Sequence, residues 1–285
     1  MTPSGKHRAA RARELLLEEA RKPAALMRLD RAALLIGVED EAYRNVSLER
    51  YLSLLDELAE EARSFMAESQ SGETEAFNYF LFELKRFAGN QLDYYDPRNS
   101  FLNEVMDRRL GIPITLSVIY MEVGRRAGLY VEGVGLPGHF IVRVREAGLS
   151  EALLVDPFHG VMLTREDCQD RLDTVYDGLV SLSDEHMRAA STPEILVRML
   201  RNLKAVYTRS GLFKQALACI DRILLLTRED VSEHRDRGLL LARLERFEEG
   251  AREIEFYLQA APDATDHTTV REQLNNLRRQ QAMRN

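Results

Sequence analysis

Along most of this chain apolar residues recur at helical spacing. From Arg13, the positions Leu15, Leu16, Leu17, Ala24, Leu26, Leu29, Ala33, Leu34 and Leu35 predict helix, broken near Pro23. Leu48, Tyr51, Leu52, Leu55, Leu58 and Ala59 predict an amphipathic helix that Ser47 caps and that ends near Met66. Gln70-Ser71-Gly72 interrupts the pattern. Ala76, Phe77, Phe80, Leu81, Leu84 and Phe87 then predict a helix ending at Gly89, with its aromatics in the core. Tyr94 to Ser100 reads as a loop whose Asn99 or Ser100 caps a short helix through Phe101, Leu102, Val105 and Met106. Arg108 and Arg109 are expected in solvent, the alternative being a carboxylate partner.

The pattern changes after Gly111-Ile112-Pro113. Pro113 suits the first helical position, where a missing N–H costs nothing, and Gly128 suits the residue past the end. Between them Ile114, Leu116, Val118, Ile119, Met121 and Val123 leave little polar face, as in a helix covered on most sides. Tyr130–Val134, Phe140–Val144 and Ala152–Val155 read as strands, apolar and bounded by glycine and proline, and Val161–Leu163 as a fourth. Thr164 with Asp167 forms an approximate capping box for a helix holding Cys168.

Residues 181–193 read as a connector. Beyond it, Leu203, Tyr207, Gly211, Phe213, Ala216 and Ile220 resemble a tetratricopeptide repeat. A shift of about 34 residues, the period of that repeat, carries Phe213 to Phe247 and Ile220 to Ile254, giving a second copy with Leu241, Gly250, Tyr257 and Leu258. Lys204 departs from the usual small residue. Thr268 to Arg279 is expected to close the stack as a polar terminal helix.

The order helix, strand, histidine strand, aspartate strand resembles the core of the transglutaminase-like (papain-like) superfamily. More closely, Asn99-Ser100, Gly111-Ile112-Pro113-Ile114-Thr115-Leu116, Pro137-Gly138-His139-Phe140 and Asp156-Pro157-Phe158 resemble the bacterial SirB-type family of transglutaminase-like proteins with C-terminal tetratricopeptide repeats. The resemblance implies an α+β fold: a transglutaminase-like core with N-terminal helices, then a helical repeat region. The expected organisation is a mobile arm over residues 1–12, containing Lys6, His7, Arg8 and Arg11, a core domain over 13–185, and repeats over 193–285. It also implies that His139 and Asp156 stand at the family's histidine and aspartate positions. The cysteine position falls on Pro113, which offers no nucleophile.

Composition narrows the function classes. A net charge of −7 with no dense basic block outside the chain ends argues against nucleic acid as a partner. No apolar run approaches a membrane span and no signal-peptide core is evident, so a soluble cytoplasmic protein is expected. Two cysteines, Cys168 and Cys219, imply neither a disulfide framework nor a zinc site.

In a cysteine–histidine enzyme the helix start stabilises a thiolate, the histidine exchanges protons and the aspartate orients it. Here His139 and Asp156 are vestigial candidates for the last two roles. Thr115 and Ser117 lie beyond the matching position, Thr115 as a local cap and Ser117 bonded within a packed helix. Pro113, Thr115, Asn99 and His159 are candidate cleft or binding residues. His139, Asp156 and His159 form an incomplete ligand set, so no metal and no cofactor are expected. The leading expectation is a non-catalytic protein that binds a protein or peptide through its core cleft and repeats. The alternative is a hydrolase or acyl-transferase using His139 and Asp156 with a hydroxyl or activated water.

Overall fold

The computed structural model describes residues 5–39, 47–227 and 230–283, which divide into two compact units, Met1–Met199 and Leu200–Asn285. In the first unit, helix α1 spans Gly5–Ala20. The expected arm of residues 1–12 therefore differs from Gly5 onward, and Ala12 is already buried; residues 1–4 lie outside the described residues. The break at Pro23 is followed by a 3₁₀ turn, Ala24–Leu26, and by α2, Leu29–Glu39. Helix α3, Leu48–Glu68, begins as expected, with the Ser47 hydroxyl accepting from the Arg50 amide at 3.3 Å.

Helix α4, Glu73–Asn78, continues as π-helical turns over Tyr79–Leu84. Phe77, Phe80 and Phe87 are core, but Leu84 is half exposed. A short parallel pair follows, β1 at Ala88–Gly89 with β2 at Leu110–Gly111. Gly89 is required there, because a Cβ would lie 2.5 Å from the Phe158 ring. In the intervening loop the cap is Asp96, whose carboxylate accepts from the Arg98 amide at 2.9 Å and opens the 3₁₀ turn Pro97–Ser100. Helix α5, Leu102–Arg108, starts after Phe101 with no side-chain cap, so neither Asn99 nor Ser100 plays that part. Arg108 is not free in solvent either: it reaches Asn99 Oδ1 at 3.3 Å and Asp96 Oδ2 at 3.5 Å. Arg109 lies over the Phe87 ring at 4.6 Å.

Helix α6, Pro113–Ala127, is buried over almost its whole length and ends at Gly128 with φ of 109°. It packs against an antiparallel meander of β3 (Tyr130–Val134), β4 (Ile141–Arg145), β5 (Leu153–Asp156) and β6 (Val161–Leu163), in that order. The register pairs Gly133 with Val142 and Val142 with Val155. Gly133 admits the Phe140 ring, which a Cβ would meet at 2.8 Å. Each fully buried aliphatic or aromatic side chain in this core contributes roughly 1.5–3 kcal/mol. Helix α7, Arg165–Tyr176, carries the expected capping box of Thr164 and Asp167.

Helix α8, Thr192–Arg209, holds the division between the units. The second unit continues with α9 (Phe213–Leu226), α10 (Val231–Arg243), α11 (Phe247–Ala260) and α12 (His267–Ala282). Helices α9 and α11 begin at the two residues that the repeat period relates. Gly238 and Gly250 let α10 and α11 approach closely: a Cβ on Gly238 would lie 2.5 Å from Ile254 Cγ1 and 2.8 Å from the Gly250 carbonyl. Lys204 replaces the usual small residue with an ion network, donating to Glu233 at 2.7 Å and Asp236 at 2.8 Å. Helix α12 closes the stack through Val270, Leu274 and Leu277.

Candidate functional site

The site is built around Asp156, the last residue of β5, whose side chain is fully buried. Its Oδ1 accepts from the Phe158 amide at 2.9 Å and from the His159 amide at 3.4 Å, a turn that follows from the chain reversing through Pro157. Its Oδ2 faces three groups: His139 Nε2 at 3.0 Å, His159 Nδ1 at 2.7 Å and Arg171 Nη2 at 2.9 Å. Burial alone would raise the Asp156 pKa. The hydrogen bonds from His139 and His159 and the charge of Arg171 outweigh it and hold the carboxyl well below the usual carboxylate range.

His139 sits at the end of the Leu136–Pro137–Gly138 turn, with Gly138 at φ of 75°. Its amide donates to the Leu136 carbonyl at 3.1 Å. With Nε2 on ionised Asp156, Nδ1 has no hydrogen-bond partner among the described residues. That is the arrangement a general base needs: one nitrogen oriented by a carboxylate and the other open.

Among the described residues, no nucleophile is hydrogen-bonded to His139. Pro113 occupies the first position of α6 and is buried. The Thr115 hydroxyl accepts from the Ile112 amide at 3.1 Å and donates to the Asn99 carbonyl at 2.8 Å, so it caps the helix locally. Ser117 departs from the expected bond within its own helix: its hydroxyl donates to the Phe140 carbonyl at 3.4 Å. Asn99 is fully buried, and its side chain joins Asn90 at 3.0 Å and the Asp93 carbonyl at 2.7 Å. Cys168 is buried among Val134, Leu136, Ile141 and Leu154, and burial pushes its thiol pKa up.

The structure thus brings His139, Asp156 and His159 together and joins Thr115 to Asn99 as a separate buried node. Ligand atoms of His139, Asp156 and His159 lie within 4.8 Å of one another, a spacing that a metal ion could use. Arg171 opposes it, with Nη2 on Asp156 Oδ2 and Nη1 3.4 Å from His159 Nδ1. A fixed guanidinium in that position repels a cation.

Two residues escaped the sequence reading. Arg171 comes from α7 and Arg198 from α8, where Nη2 donates to the carbonyls of Leu136 at 2.9 Å and His139 at 2.6 Å. No local motif marks either one.

The profile of the transglutaminase-like superfamily matches residues 49–201. The chain belongs to that superfamily. A tetratricopeptide-repeat profile matches residues 203–275, and the whole is a SirB-type transglutaminase-like protein with C-terminal repeats. A UPF0162 protein of Xylella fastidiosa (strain 9a5c) is 37% identical over 253 residues, covering 86% of this chain and 88% of its own. Protein SirB1 of Salmonella typhimurium is 25% identical over 181 residues, or 64% of this chain and 67% of that one. F-box only protein 21 of Mus musculus is 30% identical over 175 residues, 57% of this chain but 26% of that protein. No solved structure matches this chain. Together the transglutaminase-like and tetratricopeptide-repeat regions indicate a role in protein interaction. Among the described residues no helix is long and apolar enough to cross a membrane.

Proposed function

We propose that this transglutaminase-like protein is a cytoplasmic binding module that holds a peptide segment of a protein partner in the cleft beside His139, with its repeats adding further contacts, and forms no acyl-enzyme. The observation that carries this reading is Pro113 at the start of α6, where the chemistry requires a thiolate. The nearby hydroxyls of Thr115 and Ser117 are engaged by backbone groups. A site that keeps an ordered histidine–aspartate pair without a nucleophile suits recognition.

The His139–Asp156 bond, with Nδ1 open, favours a second reading: a hydrolase or acyl-transferase that activates water. Intact mass spectrometry with activated ester probes separates the two. The binding module shows no stoichiometric adduct, while a photo-crosslinking residue in place of half-exposed Tyr95 captures a protein partner in the native host. An adduct on Thr115, Ser117 or Cys168 that disappears in His139→Ala would establish the hydrolase instead. Turnover of an ester or amide that depends on His139, with no adduct, would establish the water-activating form.

A further inference from the structure

We propose that the cleft beside His139 contains an anion site, built on Arg198, for a carboxylate of the bound segment. The inference rests on the cleft-binding reading and specifies its chemistry. Arg198 is half-buried, and its Nη2 donates to the Leu136 and His139 carbonyls. Its guanidinium also lies over the Phe140 ring at 5.3 Å. These contacts satisfy one nitrogen. Among the described residues no carboxylate pairs with this guanidinium, and Nη1 and Nε have no acceptor. Arg171, Arg143 and Arg126 instead each hold a carboxylate, those of Asp156, Glu132 and Asp30.

This half-buried guanidinium keeps donors available, and its planar donors match the two oxygens of a carboxylate. The protein as a whole is acidic, at −7, yet Arg198 bonds the His139 carbonyl and Arg171 bonds Asp156, the carboxylate that holds the His139 ring. The surroundings suit a peptide-borne anion. Tyr94 and Tyr176 lie near Arg198. Tyr94 packs edge-on against Tyr95 at 5.3 Å and Phe158 at 6.0 Å, forming an apolar wall. Gly135 keeps the approach to Nη1 open, since a Cβ there would lie 3.3 Å from that nitrogen.

The carboxylate could come from a chain terminus or from an acidic side chain, and the two sources are separable. The full-length protein is titrated with N-acetyl-alanyl-tyrosine, with N-acetyl-glutamyl-alaninamide and with neutral N-acetyl-alanyl-tyrosinamide. NMR signals of the Arg198 side chain and the His139 ring report binding. A carboxylate peptide is expected to saturate these shifts at least about tenfold more tightly than the neutral amide, equivalent to 1.4 kcal/mol. Preference for the first peptide identifies a terminus and for the second an acidic side chain. Arg198→Gln should abolish that preference and Gly135→Ala should weaken it. Because Arg198 also supports the His139 turn, the wild-type preference and Gly135→Ala decide the matter if Arg198→Gln does not fold. Equal binding of the amide, absence of saturation, or a preference that persists in folded Arg198→Gln overturns the anion site. If that happens while the crosslink from position 95 still captures a partner, the cleft reading stands without it.

Discussion

Replacing Asp156 by asparagine tests the centre of the site. Asparagine keeps a carbonyl oxygen for the amides of Phe158 and His159, but presents an NH₂ group to Arg171, His139 and His159. Three donors that now converge on Oδ2, at 2.7 to 3.0 Å, would face another donor. An unsatisfied buried partner costs about 1–3 kcal/mol, and stripping a fully buried charge of its partner about 3–5 kcal/mol. Arg171 and His159 retain side-chain exposures of 27% and 40%, so water takes over part of the loss and the lower range applies. Asp156→Asn should therefore cost about 1–3 kcal/mol near neutral pH. The sign of the pH dependence follows from the lowered pKa. The ionised carboxylate stabilises the fold fully above its unfolded value near 4, and that contribution fades as pH falls through the lower folded value. The gap between wild type and variant should shrink steadily in acid. The chain has no tryptophan, so urea unfolding is followed by tyrosine fluorescence and circular dichroism, using the transition of the transglutaminase-like region. An unchanged midpoint at neutral pH, or a gap that does not vary with pH, would refute the buried charge cluster.

Thr115→Val removes both the cap on the Ile112 amide and the bond to the Asn99 carbonyl, and should cost about 1–3 kcal/mol in the same urea assay. Gly238→Ala should lower the melting temperature of the repeat region, since overpacking costs about 1–3 kcal/mol and the new methyl would meet Ile254 at 2.5 Å and the Gly250 carbonyl at 2.8 Å. Cys168 should resist iodoacetamide in the folded protein and react only on unfolding, because burial both shields the thiol and raises its pKa; alkylation followed by peptide mapping tests this.

Sequence pattern was sufficient wherever the signal is local and repeated. The apolar positions of α6, the proline and glycine at its ends, and the Ser47 and Thr164 caps act within a turn or two of chain, so they can be read directly. The 34-residue spacing of Phe213 and Phe247 likewise marks two helix starts, because each repeat must bury the same face. The π-helical turns at Tyr79–Leu84 were not legible, since their apolar spacing also fits an α-helix. The loop cap is ambiguous in sequence because Asp96, Asn99 and Ser100 are all suitable capping residues, and only tertiary packing commits Asn99 to Asn90 and Thr115. In the candidate site, motif and strand order bring His139 and Asp156 into view, and Pro113 stands where the resemblance implies a cysteine. The charge balance was not, because Arg171 and Arg198 arrive from α7 and α8. Local sequence determines which backbone can form; which distant charges meet a buried carboxylate or a turn carbonyl is decided only when helices pack, since burial then dictates which partners each group must find.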